Sequence, residues 1–141
     1  MTKGQLAKEI FMSGKNCSSA VMLAFKEELK LKQSDIEKLS IGFGGGFGRQ
    51  RLVCGAVCGM TMVLSYLLSD GENKLAIYKI IQDACKDFKS QLKTLICSEL
   101  LEGITNDTTP EPEQRTNSYY KKRPCAEIVE IAADIAQKYI T

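Results

Sequence analysis

The sequence predicts an all-α, single-domain helical bundle of about six helices, and three observations carry that prediction. Apolar residues recur at three- and four-residue spacing along nearly the whole chain, and strand-like alternation is hard to find. The segment from about Leu52 to Leu68 is apolar on almost every side, which marks a central helix surrounded by others. A glycine-rich turn, GFGGGFGR at 42–49, stands directly before it. A chain of 141 residues buries enough surface to fold without disulfides or metal. No repeat or composition break divides it, so residues 1–141 are expected to form one domain.

The elements follow in order. Thr2 to Phe11 pairs Leu6 with Ile10 and Ala7 with Phe11, and Ser13-Gly14 ends that helix. Asn16 caps a second helix, with Cys17, Val21, Ala24 and Phe25 on one face, running to about Lys30. A short helix begins at Ser34 and stops in the glycine run. After the central helix and Ser69-Asp70-Gly71, an amphipathic helix reaches about Phe88, turning Ile77, Ile81, Ala84 and Phe88 inward. A further helix covers roughly Leu92 to Leu101, and Gly103 closes it. Residues 104–123 hold two prolines and few aliphatics, so they read as a long loop, a length that suggests a functional cover. Pro124 opens the last helix at N1, with Ile128, Ala132, Ile135 and Tyr139 along its inner face.

Composition narrows the function classes. Nineteen basic against seventeen acidic side chains leave a formal charge of +2, far from the concentrated basic footprint of a nucleic-acid binder. The start, MTKGQLAKEIF, has no apolar core of signal-peptide length, and the longest apolar stretch is interrupted by glycine, threonine and serine. The expectation is a cytoplasmic protein without nucleic-acid or membrane partners. Six cysteines and no histidine exclude a Cys-His hydrolase pair, a histidine-centred triad and a Cys2His2 finger. Thiols and carboxylates are what remain for chemistry. In a reducing cytosol such cysteines are reactive, metal-bound or buried, and for any one of them alone burial is the expectation.

The glycine run fails as a nucleotide cradle. A dinucleotide fingerprint needs glycine at its first, third and sixth positions, but Phe47 or Arg49 takes the sixth, depending on register. Gly48-Arg49-Gln50 does not supply the Gly-Lys-Ser/Thr of a Walker loop. Cys54 and Cys58 have the spacing of half a zinc site, but no second close pair completes it. Any metal ligands must come from distant parts of the chain. Gly44, Gly45 and Gly46 are instead expected to turn the backbone and aim N–H groups toward Cys54 at the start of the central helix.

Cys17, Cys54 and Cys125 all fall in the first turn of a predicted helix. Cations stand near each: Lys15; Arg49 and Arg51; Lys121, Lys122 and Arg123. Helix N-termini and adjacent cations lower a thiol pKa, so thiolates are expected there, as nucleophiles or as metal ligands.

Several motifs in fixed order also resemble a known family. They are Phe11-x-x-Gly14-x-Asn16-Cys17, GFGGGFGR at 42–49, Cys54-Gly55-Ala56-x-x-Gly59, a lone Cys97, and Pro124-Cys125. Over nearly its whole length the chain resembles the redox-active protein family named for its cysteine pattern, C_GCAxxG_C_C. The resemblance implies that Cys17, Cys54, Cys97 and Cys125 are the functional four. Related domains are similar to part of the split-Soret cytochromes c, where cysteines hold an iron-sulfur centre. An iron-sulfur cluster on these four is therefore implied, with zinc as the alternative. Haem is not carried over, because C-x-x-C-H and any axial histidine are missing.

Cys58 and Cys85 are extra to the four. Cys58 lies one helical turn beyond Cys54, as a replacement ligand, a resolving thiol or a packing residue, and Cys85 is expected to pack. Three functions stay open: electron transfer through a cluster; metal-free thiol-disulfide exchange in which Cys54 attacks and Cys17, Cys58 or Cys125 resolves; and a helical binding module with structural cysteines. The redox partner is unspecified, and a homodimer would suit a small electron carrier.

Overall fold

The computed structural model describes all 141 residues, and its regular structure is helical apart from one isolated β-bridge. Six helices have eight residues or more: α1 (Lys3–Met12), α2 (Cys17–Ala24), α4 (Gln33–Ser40), α5 (Gly55–Leu68), α6 (Lys74–Leu92) and α9 (Cys125–Ile140). Three shorter ones, α3 (Lys26–Leu29), α7 (Cys97–Leu100) and α8 (Asn117–Lys122), fill the connections.

Local chemistry sets the boundaries. Thr2 and Gln5 form a reciprocal capping box at α1. Phe25 leaves helical geometry, so the second helix does not run unbroken to Lys30 but splits into α2 and α3. Lys30, in the left-handed region, ends α3. α5 starts at Gly55 rather than near Leu52, because residues 52–54 are drawn into an extended pairing with 95–97. α6 continues one turn past Phe88, to a left-handed Lys93. That extension reduces the next helix to the single turn α7. Pro124 occupies the N-cap of α9 rather than N1, a shift within the usual uncertainty of helix ends.

Four helices make the core. α1 packs on α9 and α2, α2 on α5, and α5 on α9, with α6 laid along α5 and α9. Phe11, Phe25, Met60, Leu64, Phe88 and Val129 are fully buried between them. α2 is buried from Ser18 through Ala24, and so, like α5, has almost no polar face. Gly59 permits the α2–α5 approach: a methyl group there would stand 2.8 Å from the Ser18 carbonyl oxygen and 2.9 Å from Val21 Cβ. No helix is long and apolar enough to cross a membrane.

Candidate functional site

At one end of the core, four segments far apart in sequence deliver a cysteine each. Cys17 is the first residue of α2, whose cap, Asn16, accepts from the Ser19 N–H (2.9 Å) and donates to the Ile41 carbonyl (3.0 Å). Ser18 Oγ donates to the Ser40 carbonyl (2.7 Å), and the Ser19 and Ser40 hydroxyls are also hydrogen-bonded (2.7 Å). These bonds tie the start of α2 to the end of α4, so the glycine run leaving α4 wraps around Cys17. Gly44 lies against the Asn16 side chain, where a Cβ would collide with the amide.

Cys54 and Cys97 are set by one device. Val53 and Ile96 pair as an antiparallel bridge, the Cys54 N–H donates to the Leu95 carbonyl (2.8 Å), and the Cys97 N–H donates to the Leu52 carbonyl (2.6 Å). Each cysteine leaves the bridge directly into a helix, Cys54 as the N-cap of α5 and Cys97 as the first residue of α7. The sequence carries a signal for this in its two Leu–β-branched–Cys tripeptides, at 52–54 and 95–97. Strand propensity is concentrated there. Cys125 opens α9 directly after Pro124.

All four sulfur-bearing residues line one cavity of about 370 Å³. Gly44, Gly45 and Gly55 form part of its wall, and Phe11, Leu101 and Ile128 are among its apolar lining. Gly46 does not reach it, packing instead against the Arg51–Leu52 backbone. Cys58 and Cys85, both half-buried, also lie outside. No three Cys, Asp or Glu side chains gather closely enough to hold a single metal ion.

The thiols differ from the sequence expectation in one respect. Burial pushes Cys17 up, pushes Cys54 well up and raises Cys125 to about 12. The charge that a neighbouring thiolate would carry adds to the rise: Cys97 acts on Cys17, while Cys17 acts on both Cys54 and Cys125. Opposing donors exist but lose. The Gly45 N–H faces Cys17, the Val57 and Ala56 N–H groups face Cys54, and Arg123 acts on Cys125. Desolvation of a buried anion outweighs a few backbone dipoles. The expected lysines do not help: Lys15 pairs with Glu37, and Lys121 and Lys122 are exposed. The glycine run therefore serves Cys17 more directly than Cys54.

Four arginines line the same cavity, against Glu113 as its one acidic side chain. Three are fully employed. Arg49 pairs with Asp107 (3.6 Å) and donates to the carbonyls of Thr109 (2.7 Å) and Glu111. Arg115 donates to the carbonyls of Phe11 (3.0 Å) and Lys15 (2.9 Å), with its guanidinium 4.2 Å from the Phe11 ring centroid. Arg123 pairs with Glu113 and stacks on Tyr119. Asn117–Lys122 of the expected loop 104–123 form α8, capped by Thr116, and through these arginine contacts the remaining 104–116 is strapped across the cavity. Arg51 is the exception. Its Nε donates to the Asp107 carbonyl (3.0 Å) and its Nη1 lies 3.8 Å from Cys97 Sγ, but the buried Nη2 has no protein acceptor. Sequence reasoning placed Arg49 and Arg51 beside Cys54 and missed Arg115 altogether, since nothing local distinguishes it from a solvated loop residue.

The fold and this geometry agree with one family comparison. A family model described as "Putative redox-active protein (C_GCAxxG_C_C)" matches residues 15–139, a span that includes every cysteine of the cavity. No curated protein and no solved structure matches the chain significantly.

Proposed function

The chain belongs to the C_GCAxxG_C_C family of redox-active proteins, and from that premise we propose that it transfers electrons through an iron-sulfur cluster held by Cys17, Cys54, Cys97 and Cys125. The supporting observation is that these four, and neither of the two other cysteines, line one cavity. Bound there, a cluster would supply one-electron chemistry at a potential set by its surroundings. The residues present suit an anionic, sulfur-ligated group. Gly45, Ala56 and Val57 turn N–H groups toward the sulfurs, and a buried guanidinium stands beside Cys97. Such donors favour the more negative redox state and raise the potential. The strap and the apolar wall limit the access of water, burying Cys54 and Cys97 and leaving Cys17 and Cys125 partly exposed.

Zinc has less support. With Zn–S at about 2.3 Å, the sulfurs of a tetrahedral site stand within roughly 4 Å of one another. No three candidate ligands gather that closely, whereas a multi-iron centre tolerates a wider ring of thiolates. Metal-free thiol exchange is weaker still. Burial raises Cys17, Cys54 and Cys125, and lifts Cys58 to about 11, which leaves little thiolate to attack or resolve at neutral pH.

Anaerobic reconstitution with iron and sulfide tests the proposal. Wild-type protein is expected to take up both and to gain broad visible absorption. Cys54→Ser loses that absorption and Cys85→Ser keeps it. Wild-type protein that remains colourless and iron-free rejects the reading and leaves the cysteines a structural role.

A further inference from the structure

Arg51 is 5 % exposed, has no acidic partner, and keeps one terminal nitrogen without an acceptor. A buried cation in that condition is strongly unfavourable unless a counter-charge arrives with a ligand. The other three arginines of the cavity do not share the problem, since carboxylates, carbonyls or aromatic faces engage each of them. The backbone also sits in the left-handed region at Arg51 (φ 64°) and at Arg49 (φ 69°). Side chains pay a steric penalty there, and such positions cluster where a loop must present a group to a site.

We propose that the cavity binds a small organic carboxylate, with Arg51 as its anion anchor, beside the wall formed by the four cysteines. The two edges of the guanidinium divide the work. Nη1 faces the Cys97 sulfur, so a cluster would draw on that side. The opposite edge, Nε with Nη2, carries only the Asp107 carbonyl of the strap and is the edge that a lifted strap would free for a ligand. A planar carboxylate matches the guanidinium fork, and a charge-assisted bond of this kind is roughly twice as strong as a neutral one. The rest of the wall suits an apolar body: Phe11, Leu100, Leu101, Ile128, Pro110 and Pro112 line it. A cavity of roughly 150 Å³ already accepts benzene, and this one measures about 370 Å³. Because Nη2 is closed off from solvent, the ligand enters as the strap lifts. The Thr109 and Glu111 carbonyls hold the strap to Arg49, and the Asp107 carbonyl on Arg51 Nε is the stand-in for a ligand oxygen.

The inference names a substrate class for the redox site and rests on the cluster reading only for the use made of the ligand. Binding itself is tested on iron-free, reduced full-length protein, so it can fail or succeed independently of iron uptake. Benzoate is titrated by calorimetry, with benzamide as the uncharged isostere. The expected result is saturable one-to-one binding of benzoate, with benzamide at least about tenfold weaker. Arg51→Met brings benzoate down to the benzamide level, and Arg51→Lys falls between, keeping the charge without the fork. The benzamide comparison uses wild-type protein and so holds even if a variant misfolds. No saturable benzoate binding, equal affinity for benzamide, or undiminished binding in a folded Arg51→Met variant overturns the proposal. Arg51 would then be a counter-charge for the sulfurs alone.

Discussion

A methyl group at Gly55 would run into the Cys17 sulfur and stand 2.8 Å from the Phe43 carbonyl oxygen. The glycine is therefore required by space and not by backbone conformation. It lets the start of α5 touch the start of α2, which brings two of the four cavity cysteines together. Gly55→Ala is expected to cost about 1–3 kcal/mol in chemical denaturation, the usual range for overpacking a filled site, and to impair iron uptake by displacing Cys17. Gly42→Ala, where nothing lies within 4 Å of the added carbon, is the control and leaves both unchanged. A loss of stability equal in the two variants would show that the Cys17–Gly55 contact is not what matters. Residue identities of this kind were partly legible. Cys-Gly-Ala was legible as part of a motif, but which sulfur its glycine makes room for was not, because Cys17 lies 38 positions upstream and comes into contact only through helix packing.

At the scale of elements, helix order and most boundaries followed from periodicity and caps. The late start of α5 has a specific cause, a long-range pairing that outcompeted local propensity. Residues 52–54 lie in an apolar run that reads as helix, yet hydrogen bonds with 95–97 hold them extended. The last helix is fastened by a different long-range contact. Asp87 on α6 accepts from Lys138 Nζ (2.6 Å) and from the Tyr139 hydroxyl (2.8 Å) on α9. The Lys138 bond first, and then the Tyr139 bond, hold its carboxyl below the ordinary range. Tyr139 itself, raised to about 12 by burial and by Asp87, stays a donor across neutral pH. A depressed carboxyl pKa stabilises the fold above the unfolded value, near 3.9, and this contribution disappears as pH falls through the lower folded value. Denaturation midpoints measured from pH 7 down to pH 2 should therefore fall less steeply in Asp87→Asn than in wild type. Parallel curves would mean that the α6–α9 latch carries no measurable stability.

The whole molecule decides the state of the thiols. Cys17, Cys54 and Cys125, read locally, each have a helix N-terminus and a cation to favour thiolate. Collected in one enclosed cavity, the same sulfurs lose water and would repel one another once charged, and burial outweighs the dipoles. The folded, metal-free protein should therefore react with iodoacetamide at pH 7.5 more slowly at Cys17, Cys54 and Cys125 than free cysteine does. Since raised values mean less thiolate at a given pH, the rates should climb as pH rises well beyond 8.5, the usual thiol range. Unfolding in denaturant should restore ordinary reactivity. Site-resolved mass spectrometry after timed alkylation reads this directly, and rapid modification of folded protein at neutral pH would contradict the burial argument.

By itself the sequence determined the helical class, the order of the longer helices and, through its motifs, the family and the four cysteines that line one cavity. Each of these depends on residues near one another in the chain: hydrophobic period, caps, spacing. Only the tertiary structure decided that Arg51 is stranded without a counter-ion, that the 104–116 loop closes over the sulfurs through Arg49, Arg115 and Arg123, and that burial pushes the Cys17, Cys54 and Cys125 thiols up. Charge compensation and desolvation depend on what lies within a few ångströms in space, and the packing of α2 on α5 and the pairing of 52–54 with 95–97 bring together groups that the chain keeps tens of residues apart.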